Sequence, residues 1–274
     1  MKILILGAKG MLGHDLVEVF HDNEIIGWDI ENLDLTDFAL TEKKITELKP
    51  ELIINAAAYT AVDDAETNRE VALKVNGEVV GNLAKIAKKL DIPIVHYSTD
   101  YVFNGENAEG YQEDEKQIAP LNVYGESKAL GEKLLQENTD KFYLIRISWL
   151  YGKNGKNFVE TMLKLAKEKD ELGIINDQTG CPTYTKDVAL KTKEIIEGKL
   201  PFGIYHSANS GKATWYEFAK KIFELAKVNI KAKPIPTEAY PTPAKRPKNS
   251  ILLNTKLKPL RKWEEALKDY ITNR

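Results

Sequence analysis

Lys2-Ile3-Leu4-Ile5-Leu6-Gly7-Ala8-Lys9-Gly10-Met11-Leu12-Gly13 is an apolar run that breaks into three evenly spaced glycines. Leu12, Leu16, Val17 and Phe20 then recur on one face of a helix. The order is strand, glycine turn, helix. Glycines permit the tight turn and let a backbone approach a pyrophosphate, and the helix N-terminus offers partial positive charge. Gly7, Lys9, Gly10, Met11, Leu12 and Gly13 are therefore candidate contacts to a dinucleotide. A tight turn with no ligand is the competing reading.

Outward from this unit the same alternation repeats. Glu24 to Trp28 reads as a strand with Asp29 at its end, placed to bond adenosine ribose hydroxyls as in NAD. Lys9 points the other way, toward a 2′-phosphate, so NADH and NADPH both stay open. Leu33-Asp34-Leu35-Thr36-Asp37 reads as a short strand near the adenine, which brings in Asp34 and Leu35. Thr36 or Asp37 is expected to cap a helix through Leu48. Leu52 to Asn55 is all buried-strand residues. Ala56, Ala57 and Ala58 leave room for a flat cofactor, or merely pack a helix on the sheet, and Tyr59 follows them. One long helix is expected from about Glu66 to Leu90, with Asn76 inside it. The strand from Ile94 to Tyr97 ends in Ser98-Thr99-Asp100-Tyr101, and residues 104–119 read as a surface loop. Phe142 to Trp149 is the next strand. The pattern predicts an α/β fold with a doubly wound parallel sheet, a Rossmann arrangement.

Beyond Tyr151-Gly152 the order changes. Helices are expected at 157–167, 185–197 and 214–226, short strands at 172–175 and 204–207, and a last helix around Trp263. A Pro-rich segment, residues 240–247, carries Arg246 as a phosphate candidate. The division expected is a dinucleotide-binding domain at 1–150, rejoined by about 183–208, and a smaller mixed substrate-binding domain from about 151–182 and 209–274.

Composition narrows the classes. The 274 residues are 43% hydrophobic and 29% charged, with 39 Lys+Arg against 41 Asp+Glu. The net charge of −2 argues against a nucleic-acid surface or a polybasic membrane anchor. Cys181 stands alone, so neither an internal disulfide nor a cysteine metal site is expected. No apolar run approaches the ~20 residues that span a bilayer. The expected compartment is the cytoplasm.

Tyr124-Gly125-Glu126-Ser127-Lys128 places a phenol and an ammonium on one helix face. An unperturbed Tyr titrates near ~10, and a nearby positive charge favours phenolate. The pair thus forms a general acid with its tuner. By itself such spacing also occurs on ordinary solvated helix faces.

Taken together, Gly7-x-x-Gly10-x-x-Gly13, Asn55-Ala56-Ala57-Ala58, Ser98-Thr99-Asp100 and Tyr124-x-x-x-Lys128 follow the order of extended short-chain dehydrogenases/reductases, which the chain resembles. More narrowly, residues 55–63, 96–103, 120–125, 175–178, 205–206 and 239–247 resemble the dTDP-4-dehydrorhamnose reductases. The resemblance runs nearly end to end. It implies NAD(P)H-dependent reduction of a nucleotide sugar, dTDP-4-dehydro-6-deoxy-L-mannose, to dTDP-L-rhamnose for cell-surface polysaccharides. The family's catalytic residues fall on Tyr124, Lys128 and Thr99, with Tyr124 and Lys128 also meeting the cofactor beside Ala56, Ala57, Ala58 and Tyr59. Sugar contacts fall on Thr60, Val62, Asp100, Tyr101 and Trp149. Nucleotide and diphosphate contacts fall on Asn157, Gln178 and Arg246. The resemblance also brings in a homodimer, with Mg²⁺ at the dimer contact in some members. Asp15 matches one such carboxylate, while Lys186 and the scarcity of nearby acids argue against the ion, which the chemistry does not need. Two other readings share these motifs: another nucleotide-sugar reductase or epimerase, and a non-catalytic regulatory subunit of a methionine adenosyltransferase.

Overall fold

A computed structural model describes residues 1–274. Six parallel strands form the central sheet. They are β1 (Lys2–Leu6), β2 (Glu24–Trp28), β3 (Leu52–Asn55), β4 (Ile94–Thr99), β5 (Phe142–Ile147) and the strand Gly203–His206. Their spatial order is β2-β1-β3-β4-β5 and then Gly203–His206. The order reverses between β1 and β3, so a crevice opens at the carboxyl ends of those two strands.

Buried on both faces, the inner strands read as continuous apolar runs, as parallel strands must. Period-two alternation sorts their side chains. Ile3, Ile5, Leu52, Ile54, Val95, Tyr143 and Ile145 face one layer. There they meet α1 (Met11–Val19) through Leu12 and Leu16, and the helix Thr185–Glu197 through Val188 and Ile195. Leu4, Leu6, Ile53, Ile94 and Leu144 face the other layer. That layer holds α2 (Phe38–Leu48), the helix Val79–Leu90 and the helix Val123–Asn138. The α/β doubly wound fold expected from the sequence is present.

A second core lies outside the sheet. Tyr151, Val159, Leu163, Phe218, Ile222, Trp263 and Leu267 cluster where the helices Phe158–Glu168, Trp215–Ala226 and Trp263–Asn273 meet. Thr214 caps the second of these with a full capping box to Glu217. No helix is long and apolar enough to cross a membrane.

Three local expectations are corrected. Residues 33–37 form turns and not a strand, because the Asp34 carboxylate accepts the Thr36 amide at 2.9 Å and the Thr36 hydroxyl at 2.7 Å. The expected long helix is present from Arg69 to Leu90, but not as plain α-helix: a π-helical turn (Lys74–Glu78) lies between α3 (Arg69–Leu73) and α4 (Val79–Leu90). Asn76 lies in that turn and ties it to the site. Its side chain exchanges hydrogen bonds with both backbone groups of Tyr59 at 2.9 Å and donates to Ser127 at 2.9 Å. The helix Val123–Asn138, here α5, runs so close that a Cβ on Gly131 would lie 2.2 Å from the Asn76 carbonyl oxygen. The strand expected to reach Trp149 stops at Ile147, and Trp149 itself takes a left-handed φ of 46°. Outside these three expectations, Lys231–Ile235 pairs in parallel with Glu171–Ile175 despite Pro234, which a two-stranded ribbon tolerates because each strand has a free edge.

Candidate active site

A cleft of about 570 Å³ opens at the β1/β3 crevice. Its floor is the glycine turn. Gly7 has φ 76°, and a Cβ there would lie 2.8 Å from the Ala57 amide nitrogen. A Cβ on Gly13 would lie 1.9 Å from the Gly7 carbonyl oxygen. These glycines let β1, α1 and the end of β3 approach within backbone contact. Helix α1 begins with no side-chain cap and no acid in its first turn, so its amides face the cleft unclaimed. That is a cradle for a pyrophosphate, and it fits a dinucleotide.

Gly7, Gly10, Met11, Leu12, Gly13, Asp29, Asp34, Leu35, Ala56, Ala57 and Ala58 all line this cleft, with Tyr124 and Lys128 at its far end. Lys9 and Tyr59 do not. The Lys9 ammonium turns outward to Glu31 at 3.2 Å, and only its amide serves the cleft, donating to Asp29 at 3.0 Å. Tyr59 turns its hydroxyl to Asp64 and is fixed through its backbone by Asn76. The structure thus places these two side chains outside the cleft that the other expected cofactor residues line. Sequence reasoning noted Ser98 in the strand-end motif without giving it a role, and passed over Lys156. Both line the cleft. The buried Ser98 hydroxyl has no protein partner, and its place at the end of β4 was the available signal.

Asn122 caps α5, accepting from the Gly125 amide at 2.8 Å, and the Glu66 carboxylate takes the Val123 amide at 2.9 Å. This anchors Tyr124 in the first turn. Burial pushes its hydroxyl up to about 12, against the neighbouring Thr99 hydroxyl, which favours phenolate. Lys128 is buried, and burial brings its ammonium down to about 8. Its Nζ donates to the Tyr97 carbonyl at 2.6 Å and lies 3.5 Å from His96 Nε2. The expectation that Lys128 lowers the Tyr124 hydroxyl is thus corrected for this state. The ammonium is held by the end of β4, and Thr99 supplies what opposing influence there is.

Thr99 donates to Asp100 at 3.0 Å, and Ser148 donates to the same carboxylate at 3.1 Å. Burial pushes Asp100 up to about 6. A folded carboxyl that keeps its proton to about 6, against an unfolded value near 3.8, loses stability as pH rises through that window. The loss is about 3 kcal/mol once Asp100 is fully ionised. Asp100→Asn is accordingly expected to match the parent at pH ~4 and to exceed it by up to this amount above pH ~6. Urea unfolding at several pH values measures the difference.

Of the residues expected at the sugar, Tyr101 is the one that meets Tyr124, edge-on with centroids 5.8 Å apart. Thr60 lines the cleft mouth and Val62 is half-buried beside it in sequence. Trp149 stacks on Trp215 at 3.5 Å, and the Trp215 indole donates to Gln178 at 3.1 Å. Arg246 forms two bonds to Asp63, at 2.5 and 2.7 Å, and borders Tyr101. Asn157 serves a different purpose from the nucleotide contact expected. Its amide caps the helix Phe158–Glu168, accepting from Glu160 at 3.1 Å and donating to the Gly152 carbonyl at 2.8 Å.

Asp15 gathers with His14 and Glu18 within 4.8 Å. This donor set does not suit Mg²⁺, which takes oxygen ligands in octahedral geometry. One ligand would be an imidazole, and burial raises the Asp15 carboxyl, favouring its proton over a hard cation.

The parallel sheet, the glycine cradle and the Tyr–Lys helix at one crevice define a short-chain dehydrogenase/reductase. A family model described as RmlD substrate binding domain matches residues 1–274. A dTDP-4-dehydrorhamnose reductase from Aggregatibacter actinomycetemcomitans is 41% identical, over 98% of this chain and 97% of the relative. The crystal structure of a dTDP-4-dehydrorhamnose reductase from Clostridium acetobutylicum superposes with a TM-score of 0.96 at 41% identity, covering 99% of both chains. That of a dTDP-4-dehydrorhamnose reductase from Bacillus anthracis, in complex with NADP, gives 0.96 at 38% identity and covers 100% of both. The chain belongs to the dTDP-4-dehydrorhamnose reductase family.

Proposed function

We propose that the protein reduces the C4 keto group of dTDP-4-dehydro-6-deoxy-L-mannose to an alcohol, giving dTDP-L-rhamnose, with NADH or NADPH as reductant. The observation that carries this is that Tyr124 and Lys128 line the dinucleotide cleft together, with Thr99 and Tyr101 against Tyr124. Bound nicotinamide supplies the hydride. Tyr124 gives its proton to the carbonyl oxygen as negative charge develops there, and Thr99 turns its one hydroxyl proton from Asp100 to donate a hydrogen bond to the same oxygen. Lys128 sits at the cofactor end, where its ammonium holds a ribose and restores the proton to Tyr124. Thr60, Val62, Tyr101 and Trp149 flank the sugar. Gln178 and Arg246 serve the nucleotide end, with Arg246 exchanging Asp63 for a phosphate. In this reading residues 1–150 and 183–208 form the dinucleotide domain and 151–182 and 209–274 the substrate domain, with Lys156 reaching the dinucleotide cleft and Thr60, Val62 and Tyr101 reaching the sugar across that division. A cytoplasmic location fits, since reduced nicotinamides and sugar nucleotides are held there.

Cofactor preference follows from the ribose end. The Asp29 carboxylate faces the cleft and the Lys9 charge is drawn away by Glu31. We expect NADH to be used at least as well as NADPH. Keto-sugar-dependent loss of nicotinamide absorbance, followed with each cofactor in turn, measures this. Strict NADPH dependence would contradict the role given to Asp29, and no oxidation of either cofactor would contradict the proposed activity.

A further inference from the structure

His96 is fully buried on β4, and the proton transfer described above does not use it. Its ring lies between two polar partners. Asn55, its cross-strand neighbour on β3, is 3.1 Å from Nδ1, and Lys128 is 3.5 Å from Nε2. The Asn55 amide is oriented from its other side, where Oδ1 accepts the Ala57 N–H at 3.2 Å. Its NH₂ therefore points at His96 and donates to Nδ1. A neutral imidazole that accepts at Nδ1 carries its proton on Nε2. Burial, reinforced by the Lys128 charge, outweighs a contact with the Asn55 backbone that favours the charged ring, and keeps the ring neutral. So an Nε2–H donor faces the lysine. An ammonium has nothing to offer that donor, whereas a free amine offers a lone pair.

We propose that Asn55 and His96 are positioning residues for Lys128: Asn55 sets the imidazole tautomer, and the Nε2–H holds the lysine nitrogen against the Tyr97 carbonyl and eases release of its proton. The remaining surroundings leave this arrangement dominant. Glu132, one turn further along α5, favours the ammonium, but its carboxylate is bound at both oxygens by Arg146. The Tyr97 carbonyl, at 2.6 Å, is the one other hydrogen-bonding partner of Lys128. The inference rests on the reading of Tyr124 and Lys128 as the proton-transfer pair, but its first test does not involve turnover.

That test is ¹⁵N NMR of the histidine rings in the unmodified protein. With four histidines in the chain, the exposed His14 and His21 are assigned by substitution. His96 is expected as the Nε2–H tautomer, neutral from pH ~5 to ~9. A ring protonated at Nδ1, or one that titrates in this range, overturns the proposal. The second test is Asn55→Asp. A carboxylate only accepts, so the ring must turn its proton to Nδ1 and present a lone pair to Lys128. The tautomer signature is then expected to reverse. The basic limb of kcat at saturating cofactor is expected to move up by about one pH unit. Adding His96→Phe to Asn55→Asp should remove much of that shift. A shift of the same size in the double variant assigns it to the new charge alone and overturns the relay. Should Asn55→Asp not fold, the wild-type tautomer decides the matter. Absence of keto-sugar reduction would count against the proposed activity and leave the tautomer result standing.

Discussion

Tyr124→Phe is expected to lower kcat by about 10²–10⁴-fold, the range of a positioned general acid. The substitution keeps the ring that meets Tyr101 edge-on and leaves the Asn122 cap of α5 intact. Only the hydroxyl is removed. Cofactor affinity should stay within about tenfold, since at most one neutral hydrogen bond is lost. The hydroxyl's rise to about 12 is consistent with the direction of the reaction, because a group that must donate has to hold its proton at neutral pH. Single-turnover kinetics with preloaded cofactor separate the two quantities. A parent-like rate of hydride transfer would assign the proton to another donor.

Glu132→Ala is expected to destabilise the fold by about 3–5 kcal/mol, the cost of leaving a buried charge without its partner. Glu132 and Arg146 are joined by two bonds of 2.9 and 2.7 Å, and their side chains are only 3% and 2% exposed. The Arg146 guanidinium also lies 5.0 Å over Phe103 and 3.4 Å from His206. Without Glu132 its charge faces an aromatic ring and a neutral imidazole. Replacing both residues, as Glu132→Leu with Arg146→Met, should recover most of the loss, because a well-packed apolar pair often replaces a buried ion pair at little cost. Urea unfolding of Glu132→Leu and Arg146→Met singly and of their double measures the coupling, with Glu132→Ala measured beside them. A loss below about 1 kcal/mol for Glu132→Ala would show that water reaches Arg146.

The sheet was legible because its strands are buried on both faces and read as apolar runs separated by helical periods. The glycine turn was legible because only glycine permits the contacts seen at Gly7 and Gly13. Residues 33–37 misled because Leu and Thr suggest a strand, while the Asp34 carboxylate closes a local turn. The π-helical turn around Asn76 carries no proline signal, and its side chain bonds to residues far along the chain, which local pattern does not reveal.

Within the site, position along the sequence placed most side chains but not their orientation. Spacing put Lys128 on the face of Tyr124, yet a carbonyl at the end of β4 holds its nitrogen. Lys9 stands in the right turn and faces Glu31. Asn157 begins a helix, and an Asn at that place caps it. Arg246 reaches the site, but its bond to Asp63 joins segments that local pattern cannot connect. Ser98 was visible as a strand-end hydroxyl, and only packing reveals that it lacks a partner.

The most direct test uses a reduced nicotinamide cofactor carrying deuterium at the transferring position and dTDP-4-dehydro-6-deoxy-L-mannose as acceptor. NMR of the sugar product is expected to show one deuterium at C4, in the configuration of dTDP-L-rhamnose. Label absent from C4, or a product of the opposite C4 configuration, would contradict the account.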